Sequence, residues 1–162
     1  MLSQSNRPVD WIEGTVKQHK DKLFRVAVAM MGQPADAEDI LQDVFLKLLE
    51  KQPSFESADH EIAWLIRVTV NLCKNRLRSS WRTTTVPLLD VYPAENNEQQ
   101  HLIELVFALP PKYRAAIHLF YYEGYSTREI AQITSQAEAA VRQQLTRARR
   151  MLKNHLEGGA DE

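Results

Sequence analysis

Apolar residues recur three or four positions apart along most of the chain, which is the spacing that places them on one face of an α-helix. Strict alternation of apolar and polar residues does not stand out, and glycine is scarce. The pattern therefore predicts an all-α protein. The predicted helices span residues 9–31, 35–51, 59–80, 98–108, 111–123, 127–133 and 136–156.

The helical spacing is lost between residues 82 and 97, in the segment RTTTVPLLDVYPAENN. This segment combines β-branched residues with two prolines and two asparagines, a composition typical of a linker. We therefore expect two small helical domains joined by a flexible linker. The predicted bounds are 1–82 for the N-terminal domain, 83–97 for the linker, 98–157 for the C-terminal domain and 158–162 for a mobile tail.

Charge is unevenly distributed along the chain, although 20 lysines and arginines nearly balance 21 aspartates and glutamates. Acidic residues concentrate between positions 36 and 50, whereas residues 64–82 carry five cations and no acid. The C-terminal third is basic again. Local patches, and not the net charge, are therefore expected to define the binding partners.

The composition argues against several classes of protein. Cys73 is the single cysteine, and no histidine or cysteine cluster has the spacing of metal ligands, so neither a disulfide nor a metal or other cofactor is expected. The longest apolar stretches fall short of a membrane span, and the N-terminus lacks the apolar core of a signal peptide. Glycine-rich phosphate loops and nucleophile motifs are missing, which argues against an enzyme. We expect a cytoplasmic binding protein.

The segment YSTREIAQITSQAEAAVRQQLTRARR, residues 125–150, contains the pattern Ser-x-x-Glu twice. Ser126 with Glu129, and Ser135 with Glu138, each fit a capping box, in which the two side chains satisfy backbone donors at a helix start. Two capped starts nine residues apart predict a short helix, a tight turn and a second helix. That is the layout of a helix-turn-helix.

The second of these helices has one apolar and one polar face. Arginine and glutamine can pair bidentately with base edges in the major groove of DNA, and further arginines can hold phosphates. The alternative is a solvated basic face without a ligand. The apolar stripe, expected to pack on Ile130 and Ile133, is Val141, Leu145, Ala148 and Leu152; the polar face carries Gln136, Ala139, Gln143, Thr146, Arg147 and Arg150, flanked by Arg142 and Arg149.

The segment HEIAWLIRVTVNLCKNRLRSSW, residues 60–81, predicts a helix with a second nucleic-acid face. Cations can hold a DNA backbone, an aromatic ring can stack on a base and asparagines can reach base edges, a mixture that suits single-stranded or distorted DNA. The alternative is a solvated face with Trp64 tucked into the core. The apolar side carries Ile62, Leu65, Ile66, Thr69, Cys73 and Leu77, and the polar side carries Trp64, Arg67, Asn71, Lys74, Asn75 and Arg78.

The segment DAEDILQDVFLKLLE, residues 36–50, predicts an acidic helix. Leu46 falls on its outer side, among acidic and polar residues, which suggests a protein partner with a basic groove. The alternative is an ordinary acidic surface with one stray leucine. The predicted core stripe is Ile40, Leu41, Val44, Phe45 and Leu48, and the outer side carries Asp39, Gln42, Asp43, Leu46 and Glu50.

Taken in order, these segments resemble the bacterial RNA polymerase sigma factors, and most specifically the small two-domain extracytoplasmic-function (ECF) group. LFRVAVAMMGQPADAEDILQDVFLKLLE resembles the segment that docks on the clamp helices of the polymerase β′ subunit. FESADHEIAWLIRVTVNLCKNRLR resembles the promoter-melting and −10 segment, and LPPKYRAAIHLFYYEGYSTREIAQITSQAEAAVRQQLTRARRML the −35-binding domain. The resemblance covers nearly all of residues 20–153. It implies a factor that directs transcription initiation, with core RNA polymerase (β′ clamp helices and β flap), promoter DNA and a cognate anti-sigma factor as partners.

The resemblance also implies site residues, position by position. The linker matches the segment that threads through the polymerase toward the RNA exit path, where Asp90 and Glu95 would mimic nucleic acid. The polymerase-docking residues are Asp39, Gln42, Asp43 and Leu46. The −10 and melting residues are Phe55, Ser57 and His60, from a loop that captures a flipped base, followed by Trp64, Arg67, Asn71, Lys74, Asn75 and Arg78. The −35 residues are Ser135, Gln136, Ala139, Arg142, Gln143, Thr146, Arg147 and Arg150.

Two departures from the family pattern fall in the helix-turn-helix. Family members usually have Leu-Gly in the turn, where this chain has Ile133-Thr134. Thr134 is therefore expected to adopt the turn without the freedom of glycine, at a cost of about 1 kcal/mol. Ala139-Ala140 replaces the usual Gly-Thr before the valine of the recognition helix, which removes a hydroxyl near the DNA.

Two alternative functions stay open on the sequence. A conventional DNA-binding regulator with an effector domain would need a dimer interface or ligand pocket and would act on a palindromic operator without polymerase. A sigma-like adaptor would bind polymerase and start no transcription.

Overall fold

The computed structural model describes residues 3–79 and 94–160, with side chains described for residues 10–78 and 94–157. The regular structure in these ranges is helical, which confirms the predicted all-α fold. Residues 83–93 of the predicted linker, with Asp90, and residues 161–162 of the predicted tail lie outside the described residues. The helices are α1 (Ser3–Met31), α2 (Pro34–Lys51), α3 (Ala58–Ser79), α4 (Asn97–Phe107), α5 (Pro111–Ile117), α6 (Thr127–Thr134) and α7 (Glu138–Ala160), and a π-helical turn (His118–Tyr122) continues α5.

The helix ends differ from the predicted ones where local turn chemistry decides them. The predicted helix 111–123 passes from α5 into the π-helical turn, where the Glu123 N–H bonds the carbonyl of His118. Gly32 follows α1 at φ 81 and bonds the Val28 carbonyl through its N–H. The last helix continues four residues beyond the predicted end at 156, to Ala160.

The first three helices pack around a buried apolar cluster. The predicted stripe of α2 is confirmed, because Ile40, Val44 and Leu48 are buried and the remaining two members pack partly buried against the same cluster. Thr69 is buried on α3 and donates its hydroxyl to the Leu65 carbonyl at 2.7 Å. The other helices supply Leu23, Val26 and Met30 from α1 and Leu65, Ile66, Val70 and Cys73 from α3.

The same apolar cluster continues into the C-terminal half of the molecule. α1 packs against α5, and α3 packs against α6, so the two predicted domains share one contiguous core. This packing brings the two predicted DNA-binding segments side by side. The C-terminal half contributes Ala115, Ala116, Leu119, Ile130, Ala131, Ile133, Val141 and Leu145.

Candidate nucleic-acid and partner-protein surfaces

The start of α6 carries the first predicted capping box. Ser126 Oγ accepts the Glu129 N–H at 3.1 Å, and the Glu129 carboxylate accepts the Ser126 N–H at 3.0 Å. Hydrogen bonding of the Glu129 carboxylate to the Ser126 backbone N–H, and after it to the Ser126 side chain, lowers the pKa of Glu129. The prediction of this cap is confirmed, and it fixes where the first helix of the helix-turn-helix begins.

The second predicted capping box is wrong, and its residues take other roles in the turn between α6 and α7. Ser135 ends α6 in the left-handed region at φ 55, with its N–H bonded to the Ala131 carbonyl. Glu138 is the first residue of α7, and its Oε1 accepts hydrogen bonds from Thr127 Oγ1 at 3.0 Å and Arg142 Nη1 at 3.3 Å. The helix ends in a residue with positive φ, a position that glycine usually fills and that Ser135 fills here.

Thr134 does not carry the strain expected of it. It is the last residue of α6, it is buried, and its hydroxyl donates to the Ile130 carbonyl at 2.6 Å. The expectation was wrong by one residue, because the left-handed position of the turn is Ser135.

The outer face of α7 is exposed, and its inner stripe is buried as predicted, with Leu152 only half-buried. Gln136 is the one predicted member of the outer face that is half-buried. Its side-chain amide donates to Thr134 Oγ1 at 2.8 Å, and its Oε1 accepts from Gln144 at 2.7 Å. Arg149, predicted at the flank, donates to Tyr121 Oη at 2.6 Å. The exposed residues of the predicted −35 set are Ser135, in the turn before α7, and Ala139, Arg142, Gln143, Thr146, Arg147 and Arg150 on α7.

The polar side of α3 divides into an open part and a part that faces the C-terminal half. Asn71, Asn75 and Arg78 are exposed, so the structure brings these three together on one accessible strip.

Arg67 and Lys74 form the edge of α3 that faces the C-terminal half. Arg67 Nε donates to the Ile133 carbonyl at 2.9 Å, and its Nη2 donates to the Gln132 carbonyl at 2.6 Å. Lys74 lines a cavity of about 20 Å³ together with Gln136. One predicted −10 residue and one predicted −35 residue therefore meet at the same small cavity.

Aromatic rings gather at the start of α3. The ring centroid of Phe55 lies 5.4 Å from that of His60, 5.8 Å from Trp64 and 6.4 Å from Trp11. The His60 N–H donates to Ser57 Oγ at 3.1 Å, which holds the loop against the first turn of α3. Trp64 is half-buried, so it is neither a free stacking platform nor a core residue. Sequence reasoning missed Trp11, because in the helical pattern of α1 it reads as an ordinary packing residue.

The outer side of α2 presents an apolar residue among acids, as predicted. Leu46 is 61% exposed, and Leu49, one helical turn further on, is 42% exposed. Leu49 was missed because it directly follows the core residue Leu48 in the sequence. Asp39 is exposed but accepts a hydrogen bond from Arg76 of α3 at 3.1 Å. The predicted docking residues Asp39, Gln42, Asp43 and Leu46 all lie exposed on this side.

Within residues 10–78 and 94–157, no group of His, Cys, Asp or Glu side chains is placed to hold a metal ion. Burial raises the pKa of Cys73 to about 12, which keeps its thiol protonated. None of the described helices is long and apolar enough to cross a bilayer.

Comparison with protein families matches each half of the chain to a different family model. The model of Sigma-70 region 2 matches residues 15–83, which include α2, α3 and most of α1. The model of Sigma-70, region 4 matches residues 100–152, which include the helix-turn-helix.

Individual relatives and solved structures agree with these matches. The ECF RNA polymerase sigma factor SigM of Mycobacterium tuberculosis is 34% identical over 147 residues, covering 86% of this chain and 74% of that protein. The ECF RNA polymerase sigma factor SigE of Mycolicibacterium smegmatis is 32% identical over 154 residues, covering 87% of this chain and 60% of that protein. The sigma factor RpoE of Bartonella quintana, solved in complex with the anti-sigma factor NepR, shares the fold with a TM-score of 0.72 at 24% identity, over 90% of this chain and 96% of that one.

Proposed function

Because the chain belongs to the ECF RNA polymerase sigma factors, we propose that its two halves recognise two different promoter elements. Residues 1–82 form the domain that binds core polymerase and the opened −10 segment, and residues 98–157 form the domain that binds the −35 element. Sigma factors bind core RNA polymerase and direct it to promoters. The observation that carries the assignment of surfaces is the exposed arginine- and glutamine-rich face of α7 on a capped helix-turn-helix, beside a second polar strip on α3.

The outer face of α7 is proposed to contact the −35 element. A helix fits the major groove, where arginine pairs bidentately with guanine and glutamine with adenine. Arg142, Gln143 and Arg147 are exposed and close to the start of the helix, so we assign them to base edges and the adjoining phosphates. The other members of the −35 set are Ser135, Gln136, Ala139, Thr146 and Arg150.

The start and polar side of α3 are proposed to hold the opened −10 strand. Trapping an unstacked base offsets an unpairing cost of a few kcal/mol. The aromatic group around Phe55, with the loop residues Ser57 and His60, supplies rings that a base can stack on. Trp64 belongs to the same aromatic group, next to Phe55. Asn71 and Asn75 are proposed to reach base edges, and Arg67, Lys74 and Arg78 are proposed to contact the DNA backbone.

Two surfaces are proposed to bind polymerase. The α2 surface of Asp39, Gln42, Asp43 and Leu46 is assigned to the β′ clamp helices, which the exposed leucine among acids supports. An apolar cavity of about 180 Å³ lies between α4 and the π-helical turn, lined by Leu102, Phe107, Tyr121 and Tyr122 among others. Its apolar lining supports contact with the β flap.

We propose the regulation and the cellular location of the chain from its family. RpoE was solved with the anti-sigma factor NepR. CnrH, a second solved structure with a similar fold (TM-score 0.65), was solved in complex with the cytosolic domain of CnrY. We propose a cognate anti-sigma factor for this chain as well. The family acts as a non-enzymatic initiation factor, and we propose that this chain has no catalytic activity and works in the cytoplasm.

The proposal is tested by transcription of a promoter library in vitro with bacterial core RNA polymerase, with and without the protein. We expect new start sites only when the protein is present, preceded by two shared sequence elements. Arg147→Ala should reduce transcription from the promoters that carry the shared upstream element. Lys153→Ala removes an exposed cation further along α7 and is the matched control.

Two other outcomes would contradict the proposal. Core binding by a well-folded protein without any new start site would favour the sigma-like adaptor. Binding of a palindromic DNA site without any affinity for core polymerase would favour a conventional regulator.

A further inference from the structure

The loop that precedes α3 rests against the N-terminal turns of α1. Phe55 of this loop packs edge to face with His60 and Trp64, at centroid distances of 5.4 and 5.8 Å. A third ring, that of Trp11 in α1, lies 6.4 Å from Phe55 at an interplanar angle of 43°. Trp11, Phe55 and Trp64 are half-buried and pack against the shared apolar core. Aromatic rings attract one another at centroid distances of about 4.5–7 Å, so all three neighbours help to hold Phe55.

The same face of α1 also contacts the first turn of α3. Thr15, one helical turn after Trp11, donates its hydroxyl to Glu61 Oε1 at 3.3 Å. His19, a further turn along, places its Nε2 3.6 Å from that oxygen. Thr15 and His19 are both buried. Because Trp11, Thr15 and His19 follow one another at intervals of four residues, they line one side of α1, and that side faces the loop and the start of α3.

Hydrogen bonds tie the loop to α3. The Glu56 N–H donates to His60 Nδ1 at 3.2 Å, and the Glu61 N–H donates to the Ser57 carbonyl at 3.1 Å. The ring contact with Trp11 ties the loop to a second helix. A loop that is fixed from two helices has less conformational freedom to lose when it binds a ligand.

We propose that Trp11 is a positioning residue for the −10 surface and keeps the ring of Phe55 in place for an unpaired base. This role depends on the proposed function of the loop in binding the opened strand. A base that stacks on a ring already in place does not have to order the loop first. Trp11 therefore acts through Phe55 and needs no contact with DNA of its own. It lies before residue 15, where the match to Sigma-70 region 2 begins, so the family model does not account for it.

An ordinary packing role for Trp11 would lead to different results. Loss of a packing residue lowers the stability of the whole fold and weakens DNA binding only through unfolding. Loss of a positioning residue loosens the loop locally in a chain that stays folded. The exchange of the loop amides and the affinity for an unpaired strand therefore distinguish the two roles.

Trp11→Ala is the variant that tests the role, and two further variants are matched to it. Trp11→Phe keeps an aromatic ring at the same position. Phe24→Ala removes another half-buried ring that packs on the same core, roughly 20 Å further along α1. Phe24 belongs to none of the surfaces proposed for DNA or polymerase.

Hydrogen exchange of the loop amides measures the positioning without DNA. The amides of Glu56 and Glu61 are the probes, because both are bonded in the parent protein, and the amides of α7 are the internal reference. Trp11→Ala is expected to speed exchange of the two probes about fivefold relative to α7, the size of a lost ring contact. Phe24→Ala is expected to leave this ratio unchanged. An unchanged ratio in Trp11→Ala would overturn the inference.

Affinity for an unpaired strand is measured with the full chain bound to core polymerase. The probe is a single-stranded oligonucleotide of about 12 nucleotides that carries the downstream element shared by the library promoters. Trp11→Ala is expected to weaken binding about fivefold, because fewer molecules hold the loop in the binding conformation. Trp11→Phe should lose less than about twofold, and Phe24→Ala should bind as the parent does. Equal affinity of Trp11→Ala and the parent would refute the role, and so would an equal loss in Phe24→Ala.

A further variant covers the case in which Trp11→Ala loses helicity by circular dichroism. Trp11→Leu keeps an apolar side chain with a high helix propensity but has no ring. It should change loop exchange and affinity in the same direction as Trp11→Ala, and the absence of both changes would refute the role.

The parent protein separates this role from the proposed function on which it rests. If the parent bound to core polymerase neither starts transcription nor binds the oligonucleotide, the proposed function of the loop is refuted, and the role of Trp11 with it. If the parent does both and Trp11→Ala binds the oligonucleotide equally well, the role of Trp11 alone is refuted.

Discussion

Ser135 is the residue at which the chain turns from α6 into α7, and it adopts φ 55 without being a glycine. A side chain in the left-handed region costs roughly 1 kcal/mol. Thr134, its neighbour, is helical, and its hydroxyl is bonded within α6. Glycine substitutions at these two adjacent residues should therefore change the free energy of unfolding in opposite directions.

We predict that Ser135→Gly raises the free energy of unfolding by about 0.5 kcal/mol, because relief of the left-handed strain exceeds the added entropy of the unfolded chain. Thr134→Gly should lower the free energy of unfolding by about 1 kcal/mol, as glycine does inside a helix. Urea unfolding followed by circular dichroism measures both. A stabilising Thr134→Gly would contradict the conformation of this turn.

Glu123 carries a buried carboxylate whose negative charge is stabilised by two hydrogen-bond partners. Burial alone would raise its pKa, but hydrogen bonds with His118 at 2.8 Å and with Arg25 outweigh burial and lower the pKa from 4.5 to about 2. A carboxyl whose pKa is lower in the folded chain stabilises that chain fully above about pH 4.5. This contribution is lost progressively as the pH falls toward 2.

Glu123→Gln should therefore lower the free energy of unfolding at pH 7 by about 2 kcal/mol, the contribution of hydrogen bonds to a charged group. The difference between variant and parent should shrink as the pH falls from 4.5 toward 2. Glu50→Gln, at an exposed position of α2, is the control and should change the free energy of unfolding little at any pH. A pH-independent difference for Glu123→Gln would contradict the assigned charge state.

At the scale of elements, the sequence predicted helices best where one face is apolar and the other polar. The buried stripes of α2 and α7 were found in this way, because each keeps a period near 3.6 residues. The π-helical turn was not predictable, because His118–Tyr122 is apolar or aromatic at nearly every position. Without alternating polar positions, the sequence does not distinguish an α-helical from a π-helical spacing. The second capping box failed because Ser135 serves the end of α6 and not the start of α7.

The outer side of α2 allows a test of an element as a docking surface. Leu46 is 61% exposed, so Leu46→Ser should change the free energy of unfolding by less than about 0.5 kcal/mol. It should weaken binding of core RNA polymerase about tenfold, because the variant loses the apolar surface that the leucine would bury against the partner. Leu156→Ser, at a leucine 46% exposed on α7, is the control. Equal affinity of both variants for core polymerase would contradict the assignment of α2.

At the scale of the whole molecule, the sequence shows which face of each helix is apolar but not which faces meet. The shared core between the halves was therefore not predictable. The bonding of Arg114 to the end of α1 was not predictable either, because a charged residue in a helical pattern is normally expected on the surface. The residue types of the candidate surfaces were predictable, because exposed arginine, glutamine and asparagine follow helical periodicity. The contact of Arg67 with α6 depends on how the halves pack, and only the structure reveals it.

The central claim is that one chain holds two promoter elements at the same time, α7 on the upstream element and α3 on the downstream one. The most direct measurement is transcription in vitro from a promoter of the library with about five base pairs inserted between its two shared elements, roughly half a turn of DNA. We predict that transcription falls at least about tenfold, because the upstream element then lies on the opposite side of the duplex. Undiminished transcription from the same start site would contradict the claim that both surfaces act on the promoter together.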